Sequence, residues 1–204
     1  MKNKIKFTIC ILSLTFVLSI MYYINIKVRT IKDNKIKELK LNLGNQQTKI
    51  EELKNNITFY YRANETKVDK NIKLISLNER NHVLFGSIHD KKQTLIFYIP
   101  PNLCNECYKT EIKRLDSYKS YVGNDNLFVL FPLKQMRQYK KLFDENNIKK
   151  GVYAYKQNIF ENIFRAPVYF LVDSNYQIKE LFITGKNYDL SNKYVKIIHQ
   201  KYFK

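Results

Sequence analysis

The pattern of apolar and polar positions divides the chain into three parts. Residues 7–24 form an uncharged, mainly apolar run of eighteen residues that follows three lysines. Residues 29–62 carry apolar side chains at alternating steps of three and four, which is helical spacing. From Val68 onward, short apolar runs alternate with amphipathic segments. These patterns predict an apolar helix, a polar helical segment and a folded domain over 68–204.

The domain pattern predicts an α/β fold, a central mixed sheet flanked by helices. Its strands are predicted near 72–77, 82–88, 94–99, 127–131, 151–155, 168–172 and 178–183. Its helices are predicted near 105–121, 134–147 and 190–203, where apolar residues recur on one face.

The apolar run over 7–24 is long enough to cross a bilayer core as a helix, and Tyr22 and Tyr23 suit its interfacial end. We therefore predict an uncleaved signal anchor over 1–28. A cleaved signal peptide is the alternative, but no small-residue cleavage site follows the run. Cys10 lies inside the run, so it is not a lipidation site. The N-terminal lysines place the domain outside the cytoplasmic membrane, although further basic residues follow the run and oppose this orientation.

The segment over 29–62 predicts a helical stalk with the a/d rhythm of a coiled coil. The positions in this rhythm are Ile36, Leu39, Leu43, Gln46, Ile50, Leu53 and Ile57. The stalk either forms a homodimer or acts as a single amphipathic spacer, and the sequence leaves both open.

Composition limits the classes of function. The chain has 204 residues, 45% of them apolar, and a formal net charge of +18 spread along its length. No recognition motif accompanies this charge, so a nucleic-acid partner is not expected. An anionic membrane surface or an acidic partner is the better match. Three cysteines, two of them in one motif, do not make a framework of structural disulfides.

The candidate chemistry lies after the apolar run Leu95–Ile99. Pro100 and Pro101 end this strand, and Cys104 and Cys107 follow before an amphipathic helix. Unpaired backbone N–H groups and the positive end of the helix dipole stabilise a thiolate at such a position. Strand, short loop, Cys-x-x-Cys and helix are typical of a thioredoxin-like redox site. A structural disulfide or an inert reduced pair is the alternative. The histidines are scattered, so no metal site is expected.

A second marker lies about sixty residues later, where Ala166 and Pro167 precede the apolar run Val168–Val172. A proline that opens a central strand suggests special backbone geometry, and we expect a cis bond there. With the Cys-x-x-Cys motif, this pattern resembles the thioredoxin superfamily. The extra strand–helix unit and the anchor make the chain most similar to the membrane-anchored TlpA/ResA-like thiol-disulfide oxidoreductases of bacteria.

The resemblance implies a role for each matching residue. Cys104 corresponds to the exposed attacking cysteine and Cys107 to the buried resolving one. Pro167 corresponds to the cis-proline beside the disulfide, and Ala166 to the residue whose backbone pairs with a bound substrate strand. The redox-active disulfide is itself the reactive group, so no further cofactor is implied.

Two departures from the family pattern affect the expected chemistry. Leu103 stands where the family has Trp or another aromatic residue, and Asn105-Glu106 separates the cysteines without the common proline. A carboxylate at Glu106 disfavours a neighbouring thiolate, which favours a reductant. Glu111, four residues beyond Cys107 on the same helical face, is a candidate proton acceptor for it; the alternative is a solvated surface carboxylate.

The sequence therefore predicts a membrane-tethered thiol-disulfide oxidoreductase that acts as a reductant on envelope proteins. Its expected partners are protein disulfides or dithiols, a membrane electron donor and the lipid bilayer. Peroxidase activity is disfavoured because the motif lacks a preceding Thr at the required spacing. The competing hypothesis is a non-catalytic, membrane-anchored binding or assembly module in which the cysteines only brace a loop.

Overall fold

A computed structural model describes the backbone of residues 2–63, 66–79, 81–89, 93–103, 106–157, 160, 164–185 and 188–204. Within these ranges, the side chains of residues 2–15, 59, 62, 106, 107 and 188 are not described. The chain contains two compact units, residues 1–50 and 51–204. The second unit begins earlier than the predicted domain start at Val68, because the last turns of the N-terminal helix belong to it.

Helix α1 runs without a break over Lys2–Ala63. Among the residues with described side chains, no helix is long and apolar enough to cross a membrane. Residues 7–15 of the predicted span lie outside the described side chains, so the anchor remains a prediction. Along the predicted stalk, the large apolar side chains of the a/d positions are exposed, with Leu39 at 59% and Leu43 at 56%.

The second unit contains a seven-stranded mixed sheet in the described part of the chain, in the order β2-β1-β5-β4-β3-β6-β7. Its strands are β1 Lys73–Ser76, β2 His82–Leu84, β3 Thr94–Tyr98, β4 Leu127–Pro132, β5 Val152–Tyr155, β6 Val168–Val172 and β7 Ile178–Ile183. Strands β3, β4 and β5 are parallel, whereas β6 is antiparallel to β3. Strands β3, β4 and β6 are buried along their whole length, as their continuous apolar sequences require.

Helices cover both faces of this sheet, which confirms the predicted α/β architecture. The remaining helices are α2 Phe85–His89, α3 Glu106–Val122, a 3-10 turn Leu133–Gln135, α4 Met136–Glu145 and α5 Tyr188–Tyr202. Apolar side chains of α3, α4 and α5 pack on one face of the sheet. The end of α1, helix α2 and the loop phenylalanines Phe160 and Phe164 contribute to the core on the other face. Strand β4, helix α4 and strand β5 lie between the Cys-x-x-Cys motif and Pro167, so a strand–helix unit is present there, as predicted.

One predicted strand is only half correct. The run 82–88 pairs as β2 only to Leu84 and then turns into helix α2. The N–H of Gly86 donates to the carbonyl of Lys70 at 2.8 Å, and a Cβ at Gly86 would lie 3.1 Å from that oxygen. The buried ring of His89 then joins Thr94 Oγ1 and the Asp173 carbonyl, each at 2.8 Å. These long-range bonds outweigh the local strand preference of the segment.

The end of α1 covers part of the outer edge of the sheet. The side-chain amide of Asn56 donates to the carbonyl of Ile183 at 3.2 Å, and its oxygen accepts the N–H of Ile183. Asn56 thus makes both bonds that a neighbouring strand would make to this residue of β7. Next to it, Gly185 leaves room for the carboxylate of Glu52, because an added Cβ would lie 2.6 Å from Glu52 Cδ.

Candidate functional site

The candidate site lies where β3 ends and β6 begins. Because these strands are antiparallel and Tyr98 pairs with Val168, the residues after Tyr98 and those before Val168 meet at the same edge of the sheet. Pro167 is therefore adjacent to the start of the loop that carries the Cys-x-x-Cys motif. The resemblance stated above implied that Pro167 lies near the motif, and the strand register places it beside the start of the loop.

Hydrogen bonds fix the start of the loop that leads from β3 to the Cys-x-x-Cys motif. The N–H of Ile99 donates to the Leu130 carbonyl at 2.9 Å, and the hydroxyl of Tyr155 donates to the Ile99 carbonyl at 2.7 Å. Burial raises the pKa of Tyr155, so its hydroxyl keeps the proton that it donates. Asn102 then adopts a positive φ of 63°, a conformation that asparagine tolerates better than most residues. Leu103 packs against the core.

The two cysteines differ in how much the structure describes. Cys104 and Asn105 lie outside the described residues, and Cys107 is described only as a backbone position in the first turn of α3. The helix begins at Glu106, so its free N–H groups and the positive end of its dipole face the motif. Buried residues on one face anchor the helix against the sheet, and they are Tyr108, Ile112, Leu115 and Tyr118.

Pro167 is buried, and its carbonyl oxygen accepts two bonds from Thr184, one from the N–H and one from Oγ1, both at 2.9 Å. The described residues contain no cis peptide bond, and Ala166–Pro167 lies within them. The predicted cis bond is therefore wrong. Pro167 directly precedes β6, where a missing N–H does not interrupt the ladder, and trans is the ordinary isomer. Ala166 is half-buried beside it.

Glu111 is buried, so the alternative interpretation of this residue as a solvated surface carboxylate is wrong. It is 1% exposed, on the side of α3 that meets β6 and α5. The hydroxyl of Tyr169, on β6, donates to Oε2 at 3.1 Å, whereas Oε1 has no partner among the described residues. The hydroxyl of Ser191 on α5 is near, but it also lacks a bond of good geometry.

Burial raises the pKa of the Glu111 carboxyl above its ordinary 4.5, and the Ser191 and Tyr169 hydroxyls and the charge of Arg114 offset only part of this. In turn, burial and the neighbouring Glu111 raise the pKa of Tyr118 to about 12. Glu111 is four residues beyond Cys107, so the two positions share a face of the helix. The site thus contains a buried carboxyl group that can take up or release a proton near the second cysteine position.

Two residues of this site were not predicted as functional from the sequence. Thr184 follows β7 in an ordinary polar context, and nothing local indicates that it holds Pro167. Tyr155 ends a buried strand, and this position in the sequence indicates only a core residue, which it also is. A signal for Tyr155 was its position at the end of a strand parallel to β3, since such strand ends share one edge of the sheet.

Comparison with known proteins gives a structural likeness. No protein-family model matches the sequence, and neither does any curated protein. Among solved structures, the chain is similar to the thioredoxin domain of a thiol-disulfide oxidoreductase from Bacteroides vulgatus, with 15% identity, 65% of this chain and 98% of that chain covered, and a TM-score of 0.48.

The chain is also similar to a thiol:disulfide interchange protein of the thioredoxin family from Chlorobium tepidum, with 11% identity and a TM-score of 0.48. This match covers 67% of this chain and 98% of that chain. A secreted disulfide oxidoreductase from Mycobacterium tuberculosis matches with 9% identity and a TM-score of 0.45, over 62% of this chain and 96% of that chain. These neighbours are thioredoxin-family proteins.

Proposed function

We propose that the protein is a membrane-tethered thiol-disulfide oxidoreductase that reduces disulfides of envelope proteins through Cys104 and Cys107. The observation that carries this proposal is the pairing of Tyr98 with Val168, which brings the loop before the motif and Pro167 to one edge of the sheet. A Cys-x-x-Cys motif at the start of α3 fits this edge, because the helix end favours a thiolate.

The reaction follows thiol–disulfide exchange. The Cys104 thiolate attacks a substrate disulfide, so that a Cys104–substrate disulfide forms and one substrate thiolate leaves. Cys107 loses its proton and attacks the Cys104 sulfur, which releases the second substrate thiolate and leaves a Cys104–Cys107 disulfide. The substrate gains two electrons, and its two released thiolates take up protons from solvent. A membrane dithiol donor must then reduce the protein again. Glu111 is the proposed acceptor for the Cys107 proton.

The defining experiment is trapping of the mixed disulfide. A Cys107→Ser variant stops the reaction after the first attack, so non-reducing electrophoresis with a disulfide-bonded test peptide should show a stable adduct. A Cys104→Ser/Cys107→Ser variant, which keeps Cys10, should show none. Adducts that persist in the double variant, or that never form in Cys107→Ser, contradict the proposal. The protein would then be the non-catalytic binding module that shares these sequence features.

The tether is part of the proposal. The eighteen uncharged residues over 7–24 match the thickness of a bilayer core, and the N-terminal lysines favour a domain outside the cytoplasmic membrane. In a Cys10→Ser background, a thiol reagent that does not cross membranes should label the motif in intact cells. A Leu14→Asp/Val17→Asp variant should be released by alkaline carbonate, and retention of this variant would contradict anchoring by this run.

The exposed apolar stripe of the stalk supports a homodimer as a further element of the proposal. Ile36, Leu39 and Leu43 are each about half or more exposed in the single chain. A Leu39→Asp/Leu43→Asp variant should lose chemical cross-linking between copies, whereas Asn42→Asp/Asn45→Asp, beside the stripe, should keep it. Equal cross-linking in both variants would indicate a single-helix spacer.

A further inference from the structure

A cavity opens beside the loop that carries the motif. Its volume is about 690 Å³, and its wall includes Asn102 of that loop, Lys134 after β4, and Tyr155 and Lys156 at the end of β5. Since β3, β4 and β5 are parallel, all of these residues lie at the carboxyl edge of the sheet, where ligands of open α/β sheets bind. Asn102 is two residues before Cys104, so the cavity adjoins the proposed reactive position.

The cavity is cationic. Lys134 and Lys156 are charged lining residues, and no acidic residue is among the lining residues that the structure describes. Within the part of the chain that the structure describes, neither lysine forms an ion pair. Tyr155 adds no negative charge, because burial raises its pKa and keeps it neutral.

Further basic residues lie near this cavity. A second cavity of about 590 Å³ shares Lys156 and adds Lys67 and Lys73. Asp69 is the acid among its described lining residues, and Oδ1 of that side chain accepts the N–H of Asn71 at 2.9 Å. At the same edge of the sheet, exposed Arg165 lies two residues before Pro167. Cations therefore follow β4 and β5 and precede β6, around the proposed site of exchange.

We propose that this cavity binds acidic residues that flank the disulfide of a substrate protein. The proposal rests on the proposed oxidoreductase function and adds a substrate class to it. Two lysines beside the reactive loop attract carboxylates over distances of several ångströms and accelerate encounter with an acidic substrate. Because both lysines are solvent-accessible, each contact contributes modestly and is screened by salt.

The test measures reduction of three peptides by the reduced full-length protein. The peptides share one disulfide and differ only in flanking residues, which are glutamates, glutamines or lysines. At low salt, the protein should reduce the glutamate-flanked peptide about three- to tenfold faster than the glutamine-flanked one. This preference should shrink in about 0.5 M salt, where charges are screened within a few ångströms.

Two matched variants locate the preference. Lys134→Glu/Lys156→Glu should lose or reverse it. Lys149→Glu/Lys150→Glu makes the same change in net charge at the opposite edge of the sheet, just before β5, and should keep it. An equal effect of both variants would refute the proposal and assign the preference to overall charge. A preference for the lysine-flanked peptide would also refute it and would point to Glu106.

The outcomes separate this inference from the function on which it rests. Equal reduction of all three peptides by the wild-type protein refutes the acidic-substrate proposal and leaves the oxidoreductase intact. Failure to reduce any of the three by a protein whose circular dichroism shows a native fold refutes the proposed function, and this inference with it.

Discussion

Replacement of Glu111 by glutamine should change how the stability of the protein depends on pH. The glutamine keeps the size and most of the hydrogen-bonding capacity of the side chain, but it removes the ionisable group from a position that is 1% exposed. Burial raises the pKa of the Glu111 carboxyl in the folded protein above the ordinary 4.5, which applies to the unfolded chain. The folded protein therefore holds this proton at pH values where the unfolded chain has already released it.

The sign and the size of this change in stability follow from the linkage between proton binding and folding. Where the folded state binds more protons, the free energy of unfolding falls as the pH rises, by at most about 1.4 kcal/mol per pH unit for one group. The loss begins near the unfolded pKa of 4.5 and ends at the higher folded pKa. Glu111→Gln has no such loss. At pH 4 the two proteins should agree within about 1 kcal/mol, because a protonated carboxyl and an amide are similar in shape. Above that pH, the variant should become progressively more stable than wild type.

Urea unfolding of the full-length protein, followed by near-UV circular dichroism of its tyrosines at pH 4 to 8, measures this difference. Asp116→Asn is the control, since Asp116 is an exposed acid on the same helix. Its difference from wild type should stay within about 0.5 kcal/mol at every pH. A Glu111→Gln difference that is constant over this range, or a variant that loses stability at pH 7, would refute the account of a buried carboxyl with a raised pKa.

Three further substitutions test the loop, the sheet edge and a turn. Tyr155→Phe leaves the Ile99 carbonyl without its donor and should lower the free energy of unfolding in urea by about 1–3 kcal/mol. It should also shift the reduction potential of the motif. An unchanged potential would contradict a role of Tyr155 in positioning the loop. Asn56→Ala removes both hydrogen bonds to Ile183 and should lower the free energy of unfolding by about 1–2 kcal/mol. Hydrogen exchange at the Ile183 amide should become faster, and an unchanged exchange rate would contradict the proposed protection of this strand edge. Gly151→Ala should lower the free energy of unfolding, measured by heat or urea, by at least about 2 kcal/mol. The reason is that φ at this position is 67° and the new Cβ would lie 2.8 Å from a backbone carbonyl oxygen of β4. A variant of wild-type stability would show that the turn can adapt.

The sheet could be predicted largely from the sequence because its strands are buried on both faces. The runs that became β3, β4 and β6 are apolar almost throughout, and no amphipathic helix shows that pattern. Helix α3 was equally clear, since its apolar residues recur at helical spacing after two prolines that end a strand. The approach of Pro167 to the motif could be predicted only through a family resemblance, because no local pattern specifies the register of β3 and β6.

The errors have a common physical cause, which is long-range contact. The strand predicted beyond Leu84 turns into α2 because Gly86 and His89 bond to residues of other segments. The burial of Glu111 depends on β6 and α5, which pack against α3 from far along the chain. A periodic pattern shows which face of a helix is apolar, but not whether a carboxylate at the border of that face will be covered. The cis bond before Pro167 is a separate case. It was expected because the proline opens a central strand, but a proline that directly precedes a strand does not interrupt the ladder and needs no special geometry.

The contact between Asn56 and Ile183 affects how the protein should be shortened for biochemical work. A fragment that starts at Val68, with the sheet, would lack the amide that pairs with the last residue of β7. The exposed N–H and carbonyl would then be open to pairing with another copy, a common route to aggregation. A soluble version should therefore retain the chain from Glu51 or earlier.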